Sequence, residues 1–423
     1  MWNFSLINYL IIFVFVVGYL AIIFEYKIKI NKTASAIIMA AVSWTLLFFA
    51  KGQGANISLS NLDKHLGNAS QLIFFLLGVM TLVEMIDSHK GFKIITNLIQ
   101  TRSKKKMLWI VGFLSFFLSA VLDNLTTTIL MISILRKVVP DRKERLFLGS
   151  SVIIAANAGG AWTPIGDVTT TMLWIKGNLT PLGVVKSLFL PCFFSLIIML
   201  FLLSFSLKGK YSFSIKEQES IEPGGKLVFF LGMLALIFVP VFEAITHLSP
   251  FMGVFLGLGI LWVVTDLLHN KYETRKHLRV PYVLTKIDTA GVLFFLGILL
   301  CINSLEITNV LKNLSLWLDM HIQNTAILAT ILGLISSVID NVPLVAATTG
   351  MYDLSLYPTD SSLWQMIAYC AGTGGSIFII GSAAGVALMG LEKVDFVWYM
   401  KRMSLIALAG YLAGMVLYLI LHV

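Results

Sequence analysis

Runs of about twenty apolar residues recur along this 423-residue chain, and they constrain its fold more than any other feature. A helix of that length crosses a hydrocarbon core of roughly 30 Å. In lipid every backbone amide must find its partner inside the chain, so a run that crosses alone must be helical. Such runs stand at 6–24, 33–50, 70–87, 188–207, 226–246, 250–268, 287–304 and 396–421. Two more, 146–177 and 363–391, are interrupted by glycine clusters, and each reads as one broken span. Charged residues make up only 13% of the chain, against about 25% in a soluble domain. The chain therefore cannot cover a water-facing surface, and the fold class expected is an all-α polytopic membrane protein in a lipid bilayer. The run 6–24 passes into Glu25-Tyr26-Lys27 with no small-residue cleavage site, so it reads as a span and not a leader.

The net charge of +9 would suggest nucleic acid in a soluble protein. Here the Lys and Arg fall in short loops between apolar runs, the positive-inside pattern, and no nucleic-acid partner is expected. Lys27, Lys29 and Lys32 mark one cytoplasmic loop, and Lys208, Lys210 and Lys216 another. Lys271, Arg275, Lys276, Arg279 and Lys286 mark a third, followed by Lys393, Lys401 and Arg402. The loops 177–187 and 305–322 are poor in Lys and Arg and fall outside. The setting expected is a bacterial cytoplasmic (inner) membrane, where the sequon Asn56-Ile57-Ser58 carries little weight. Cys192, Cys301 and Cys370 each stand alone in an apolar run, which excludes a disulfide framework, a thiolate metal site or a CxxC pair. No metal-ligand spacing, phosphate loop or nucleophile motif appears, so neither an enzyme nor a resident cofactor is expected.

The segment 107–139 is too long for one crossing, because its 33 residues would make a helix of about 50 Å. Its middle carries Asp123-Asn124, a pair that a lipid-facing helix would not tolerate. Arg102, Lys104, Lys105 and Lys106 precede it, and Arg136, Lys137, Arg142, Lys143 and Arg145 follow, so both ends are cytoplasmic. It reads as a re-entrant hairpin with Asp123 at the tip, too short for two crossings and a turn. A second hairpin is expected at 324–352, around Asp340-Asn341-Val342-Pro343. Its flanks carry Asp319, Asp353 and Asp360 against Lys312, so it opens from the outer side.

The two halves match at a nearly fixed offset. Phe74-Phe75-Leu76-Leu77-Gly78 answers Leu293-Phe294-Phe295-Leu296-Gly297, 219 residues on. Asp123-Asn124 answers Asp340-Asn341 at 217, and Gly159-Gly160 with Gly166 answers Gly374-Gly375 with Gly381 at 215. Each half holds five crossings, one of them broken, and a hairpin; the odd number inserts the second half upside down. The division expected is a first repeat at 1–207, a cytoplasmic linker at 208–225 (Lys216-Glu217-Gln218-Glu219, then Pro223-Gly224-Gly225) and a second, inverted repeat at 226–423. Inverted repeats with interrupted helices mark secondary transporters, whose substrates bind at the midplane.

The two tips and the two interruptions should converge on one site, because irregular backbone is tolerated at depth only where it lines a cavity. They supply Asp123, Asn124 and Thr126; Asn157, Thr163 and Asp167; Asp340 and Asn341; and Thr373 and Ser376. These oxygens form a hard-cation environment, with sodium expected at Asp123, Asn124, Asp340 and Asn341. An Asp at the head of each returning half-helix cancels the positive helix end that would otherwise favour an anion. No Lys or Arg is expected near these carboxylates. Burial favours a protonated carboxylate and a neighbouring cation an ionised one, so such a group holds either a proton or sodium. The alternative is that each Asp-Asn merely caps its half-helix, although an ionisable group within the membrane is functional by default. Asp167 breaks the symmetry, since Ser382 is its counterpart. Glu84, Asp87 and Asp288 are further proton-path candidates or interfacial caps, and Ser382 is a proton-path candidate of the same rank. Glu243 and His247 read as outer-face anchors. His89 reads as a solvated residue beside Lys90 and Lys93, with a pH-sensing role as the alternative, and Thr169, Thr170 and Thr171 read as helix packing with one hydroxyl in the site.

These motifs resemble those of the NhaD-type sodium/proton antiporters, within a larger ion-transporter fold that also serves dicarboxylate and arsenite carriers. The resemblance rests on 119–127 (Ser-Ala-Val-Leu-Asp-Asn-Leu-Thr-Thr), on 157–167 and on Ile339-Asp340-Asn341-Val342-Pro343, and it covers nearly the whole chain. It implies export of sodium or lithium in exchange for incoming protons by alternating access, and a homodimer. The dicarboxylate carriers have a Ser-Asn-Thr tip where this chain has Asp123 or Asp340, a departure that counts against carboxylate substrates. The competing expectation is a proton-driven efflux carrier for an oxyanion or neutral acid, such as arsenite or silicic acid.

Overall fold

The computed structural model describes residues 6–50, 55–96, 101–207, 209–210 and 221–422. Lys208 and 211–220, most of the expected linker, lie outside them, as do the side chains of Lys27, Asn56, Ile57 and Ser58. The described residues are almost entirely helical, with one isolated bridge between Ser103 and Lys210. Nine helices among them are long and apolar enough to cross a membrane: Leu6–Ile23, Lys32–Phe49, Leu59–Ser88, Lys104–Leu122, Pro181–Ser204, Gly225–Thr246, Pro250–His269, Thr289–Ile307 and Phe396–His422. The protein is an integral, multi-pass membrane protein.

Eight of the nine fall on the eight uninterrupted runs. The third reaches back to Ala55, well before the run at 70–87, because its polar first turns stay helical beyond the apolar stretch. Pro181–Ser204 starts seven residues earlier than hydropathy places it: Thr180 accepts the Gly183 amide at 3.0 Å and Pro181 supplies the first helical residue. The ninth, Lys104–Leu122, is the first arm of the hairpin 107–139. Asn124–Val138 follows with Asp123 alone between them. The second arm, at 15 residues, is shorter than the first, and the turn takes one residue. Asp123 makes it at φ 72° and ψ 161°, a region that costs a non-glycine residue on the order of 1–3 kcal/mol.

The segment 324–352 likewise forms two helices, Thr325–Ser336 and Asn341–Met351. The glycine clusters break their spans as expected. Arg142–Gly160 and Val168–Ile175 flank 161–167, while Ser362–Gly374 and Ala383–Glu392 flank 375–382. The first arm of each hairpin lies along the helix that enters the break of its own half: Lys104–Leu122 on Arg142–Gly160, and Thr325–Ser336 on Ser362–Gly374. The second arms cross over. Asn124–Val138 packs on Ala383–Glu392, and Asn341–Met351 packs on Val168–Ile175.

Glycine permits the first of these contacts. A Cβ on Gly159 would stand 2.1 Å from the Phe116 carbonyl oxygen, and one on Gly374 would stand 2.3 Å from that of Gly333. Serines on the arms complete the seam, with Ser119 donating to the Ala156 carbonyl at 2.6 Å and Ser336 to that of Ala371 at 3.1 Å.

Ionic contacts close the far ends of the crossed pairs. Glu392, with a side chain 2% exposed, pairs with Arg136 at 2.6 Å and Arg145 at 2.9 Å, while Arg142 donates to its carbonyl at 3.0 Å. At the other end Lys176 donates to Thr349 at 2.7 Å.

His89 is buried, which corrects the expectation of a solvated side chain. Lys90 turns the chain at φ 54° and brings His89 against the end of Pro250–His269. Its Nδ1 lies 2.8 Å from the Met85 carbonyl, which can only accept, so Nδ1 donates and Nε2 is left as acceptor. His269 then donates across the 3.1 Å between the two Nε2 atoms.

Two predictions follow from this packing. Replacing Glu392 with Ala leaves two arginines without their buried partner, and should cost about 3 kcal/mol, read as a lowered melting temperature in detergent. Burial pushes the His89 imidazole down to about 4, below its unfolded value of roughly 6.5. Its contribution to stability is therefore complete above about pH 6.5 and lost as pH falls towards 4. His89→Gln should flatten that part of the stability profile.

Candidate functional site

The first break ends at Asp167, which is 1% exposed and caps Val168–Ile175. Its Oδ1 accepts from the Thr169 amide at 2.9 Å and the Thr169 hydroxyl at 2.7 Å. Its Oδ2 accepts from Asn124 Nδ2 at 2.7 Å. Asn341 Nδ2 approaches both oxygens, at 3.5 and 3.4 Å. Asn124 heads the second arm of one hairpin and Asn341 that of the other. Both tips therefore meet on one buried carboxylate, as a buried charge requires if it is to be compensated by donors.

The network continues to the second break. Asn124 Nδ2 also donates to Asn157 Oδ1 at 3.0 Å, and Asn157 Nδ2 donates to Ser382 Oγ at 3.0 Å. Ser382 caps Ala383–Glu392. All four breaks thus contribute to a chain that runs from Ser382 through Asn157 and Asn124 to Asp167 and Asn341.

Asp123 and Asp340 face differently. Asp123 accepts from the Thr126 amide and the Thr126 hydroxyl, each at 2.8 Å, so both of its oxygens serve its own half-helix. Asp340 accepts from the Val342 amide at 3.3 Å, and its Oδ2 lies 3.7 Å from Lys32 Nζ. That ammonium also sits 4.4 Å from the centroid of the Phe294 ring. The expectation that no Lys or Arg stands near these carboxylates is therefore corrected. Lys32 lies 308 positions from Asp340 in a loop rich in lysine, and no spacing in the sequence singles it out.

The hydroxyls of Thr163, Thr373 and Ser376 donate to the carbonyls of Ala120, Tyr369 and Thr373, at 2.6, 2.5 and 2.6 Å. They hold the breaks together and make no hydrogen bond to the carboxylates. From the threonine run it is Thr169 that reaches Asp167, whereas Thr170 and Thr171 bond to the carbonyls of Asp167 and Pro164. Glu84 pairs with Lys286 at 3.3 Å, Asp288 caps Thr289–Ile307, and Asp87 is exposed, so these three stand apart from the network. Thr127 and Thr128 are fully buried with hydroxyls that lack a hydrogen-bond partner. They lie in the tip motif at 123–128, which was the signal available for them.

Residues 19–360 match the family model described as a citrate transporter. The chain belongs to that family of transporters. Sodium/proton antiporter 1 of Arabidopsis thaliana is 51% identical over 412 residues, covering 96% of this chain and 71% of its own length. Sodium/proton antiporter 2 of the same plant is 48% identical over 414 residues, covering 96% and 98%. The Na(+)/H(+) antiporter NhaD of Alkalimonas amylolytica is 30% identical over 451 residues, covering 99% and 91%. The resemblance to NhaD-type proteins carried by 119–127, 157–167 and 339–343 thus extends along the chain. A member of this family is a transporter and not an enzyme.

The distances around Asp167 rank its partners. Asn124→Ala removes the 2.7 Å bond and should cost about 2 kcal/mol. Asn341→Ala removes only the contacts at 3.4 and 3.5 Å and should cost less. Thermal unfolding of the two purified variants would check the order.

Proposed function

We propose that this chain exports sodium, or lithium, in exchange for protons, with Asp167 as the carboxylate that holds one or the other. The observation that carries this reading is the convergence of Asn124 and Asn341, one from each hairpin, on a buried carboxylate at a helix break. In the arrangement described, Asp167 is met by N–H and O–H donors. Sodium takes oxygen ligands, so to bind beside Asp167 it requires the two amides to turn their Oδ1 atoms inward. A turn at Asn124 breaks its bond to Asn157, and that frees Asn157 from its present partner. Cation binding is in this way tied to both hairpin tips and, through Asn157 and Ser382, to the second break. A proton on Asp167 abolishes the charge that attracts sodium, so the two occupants exclude one another.

Alternating access by an inverted repeat is part of the proposal. It is supported by the offsets of 215–219 residues in the sequence, by the matched seams at Ser119 and Ser336, and by the crossed packing of the second arms. The names of the relatives support the substrates. The bacterial inner membrane and a homodimer belong to the same reading. Lys32 gives a carboxylate-carrier reading an observation of its own, since it is a cation beside the site, and the family model is described by citrate. Its charge is already engaged by Asp340, however, and Asp123 and Asp167 remain to repel an anion. An oxyanion or neutral-acid carrier has no comparable feature in its favour.

The test is sodium-induced proton movement in inside-out vesicles from cells that lack their own antiporters. Sodium or lithium should collapse an imposed proton gradient with the wild type and leave it intact with Asp167→Asn. Asp123→Asn keeps a capping side chain and should retain part of the activity. A wild type that ignores sodium and lithium at every pH, or that responds to citrate instead, would sink the exchange reading.

A further inference from the structure

We infer that Lys32 is a tethered cation that competes with the transported cation for Asp340 and so sets how tightly the cation is held; this rests on the exchange reading above. Asp123 and Asp340 occupy equivalent places at the two tips, but their surroundings differ for a reason that lies in the chain. Thr126, three residues after Asp123, supplies both an amide and a hydroxyl to it. Three residues after Asp340 stands Pro343, which has no N–H and no hydroxyl. Asp340 therefore has only the Val342 amide at 3.3 Å, on Oδ1, and its Oδ2 is left facing Lys32.

The position of Lys32 is not one that serves its own helix. It is the first residue of Lys32–Ala50, where a positive side chain opposes the helix dipole. The orphan amide there is covered by Glu25, which accepts it at 3.0 Å. The ammonium rests on two partners at once: Oδ2 of Asp340 at 3.7 Å and the face of Phe294, whose centroid is 4.4 Å away. The ion pair is at the loose end of its range, with side chains 25% and 17% exposed. The pair is only partly enclosed, which leaves room for an incoming cation to displace the ammonium. When the transported cation takes Oδ2, Lys32 stays on Phe294; when the cation leaves, Lys32 returns to Asp340 and neutralises it. Lys32 touches the site through Asp340 and is a positioning residue, not a ligand.

Removal of the competitor should tighten binding and slow release. In the vesicle assay Lys32→Gln should lower the half-saturating sodium concentration by about fivefold and also lower the maximal rate, while Lys32→Arg stays near wild type. Phe294→Leu removes the other resting place and should move half-saturation the opposite way, upward by about two- to fivefold. These opposite shifts would not come from a merely structural role. Sodium-dependent thermal stabilisation of the purified variants gives the same order without transport, should Lys32→Gln reach the membrane poorly. If the wild type does not respond to sodium, the exchange reading is what fails. If the wild type responds but Lys32→Gln leaves half-saturation unchanged or raises it, the inference about Lys32 is overturned.

Discussion

The structure turns on how one carboxylate is buried. Asp167 lies at the end of a broken helix, 1% exposed, in a protein whose core is largely aliphatic and aromatic with serine, threonine and asparagine among it. A charge in such surroundings is costly unless donors surround it. Two of its donors come from Thr169 in the next turn, and the others are the amides of Asn124 and Asn341. Each asparagine heads a half-helix that starts at an aspartate, so the need of one carboxylate fixes the depth of both hairpins. The breaks in the spans are equally bound to it, because continuous helices would leave neither Asp167 nor Ser382 free to cap a new one.

The rest of the packing keeps those tips in reach. Glycines at 159 and 374 let the first arms touch the helices that enter the breaks, and serines at 119 and 336 tie them there. The second arms also reach Ala383–Glu392 and Val168–Ile175, and are closed at their far ends by Arg136 with Glu392 and by Thr349 with Lys176. Each tip is thus joined by a short helical arm to a polar contact at one end of the molecule.

The membrane fold was legible in the sequence because hydropathy and glycine act over a few adjacent residues. Eight spans, the helix pairs at 104–138 and 325–351 and both helix breaks could be read from such local patterns, and Asn124, Asn157, Asp167 and Asn341 were named as one cluster. What sequence could not rank was the aspartates. Asp123 and Asp340 are central in their motifs, yet Asp123 spends both oxygens on Thr126, while Asp167, which has a serine as its counterpart, receives both tips. That outcome depends on which side chain points inward at a junction, which the backbone of each junction decides. His89 and Lys32 escaped for a related reason. Each has its partner 180 or 308 positions away, at His269 and Asp340, and nothing local distinguishes a buried or paired residue in a basic loop from a solvated one.

The departures from symmetry carry the chemical argument. If both breaks ended in aspartate, two carboxylates would share one buried network and repel each other, and one would have to stay protonated. Ser382 avoids this, since its hydroxyl accepts from Asn157 and continues the network without a second charge. Likewise, a threonine at 343 could have satisfied Asp340 as Thr126 satisfies Asp123. Proline there leaves an oxygen unspent, and a lysine from the first half answers it. The result is one buried carboxylate met by both tips and a second, Asp340, whose spare oxygen faces a lysine.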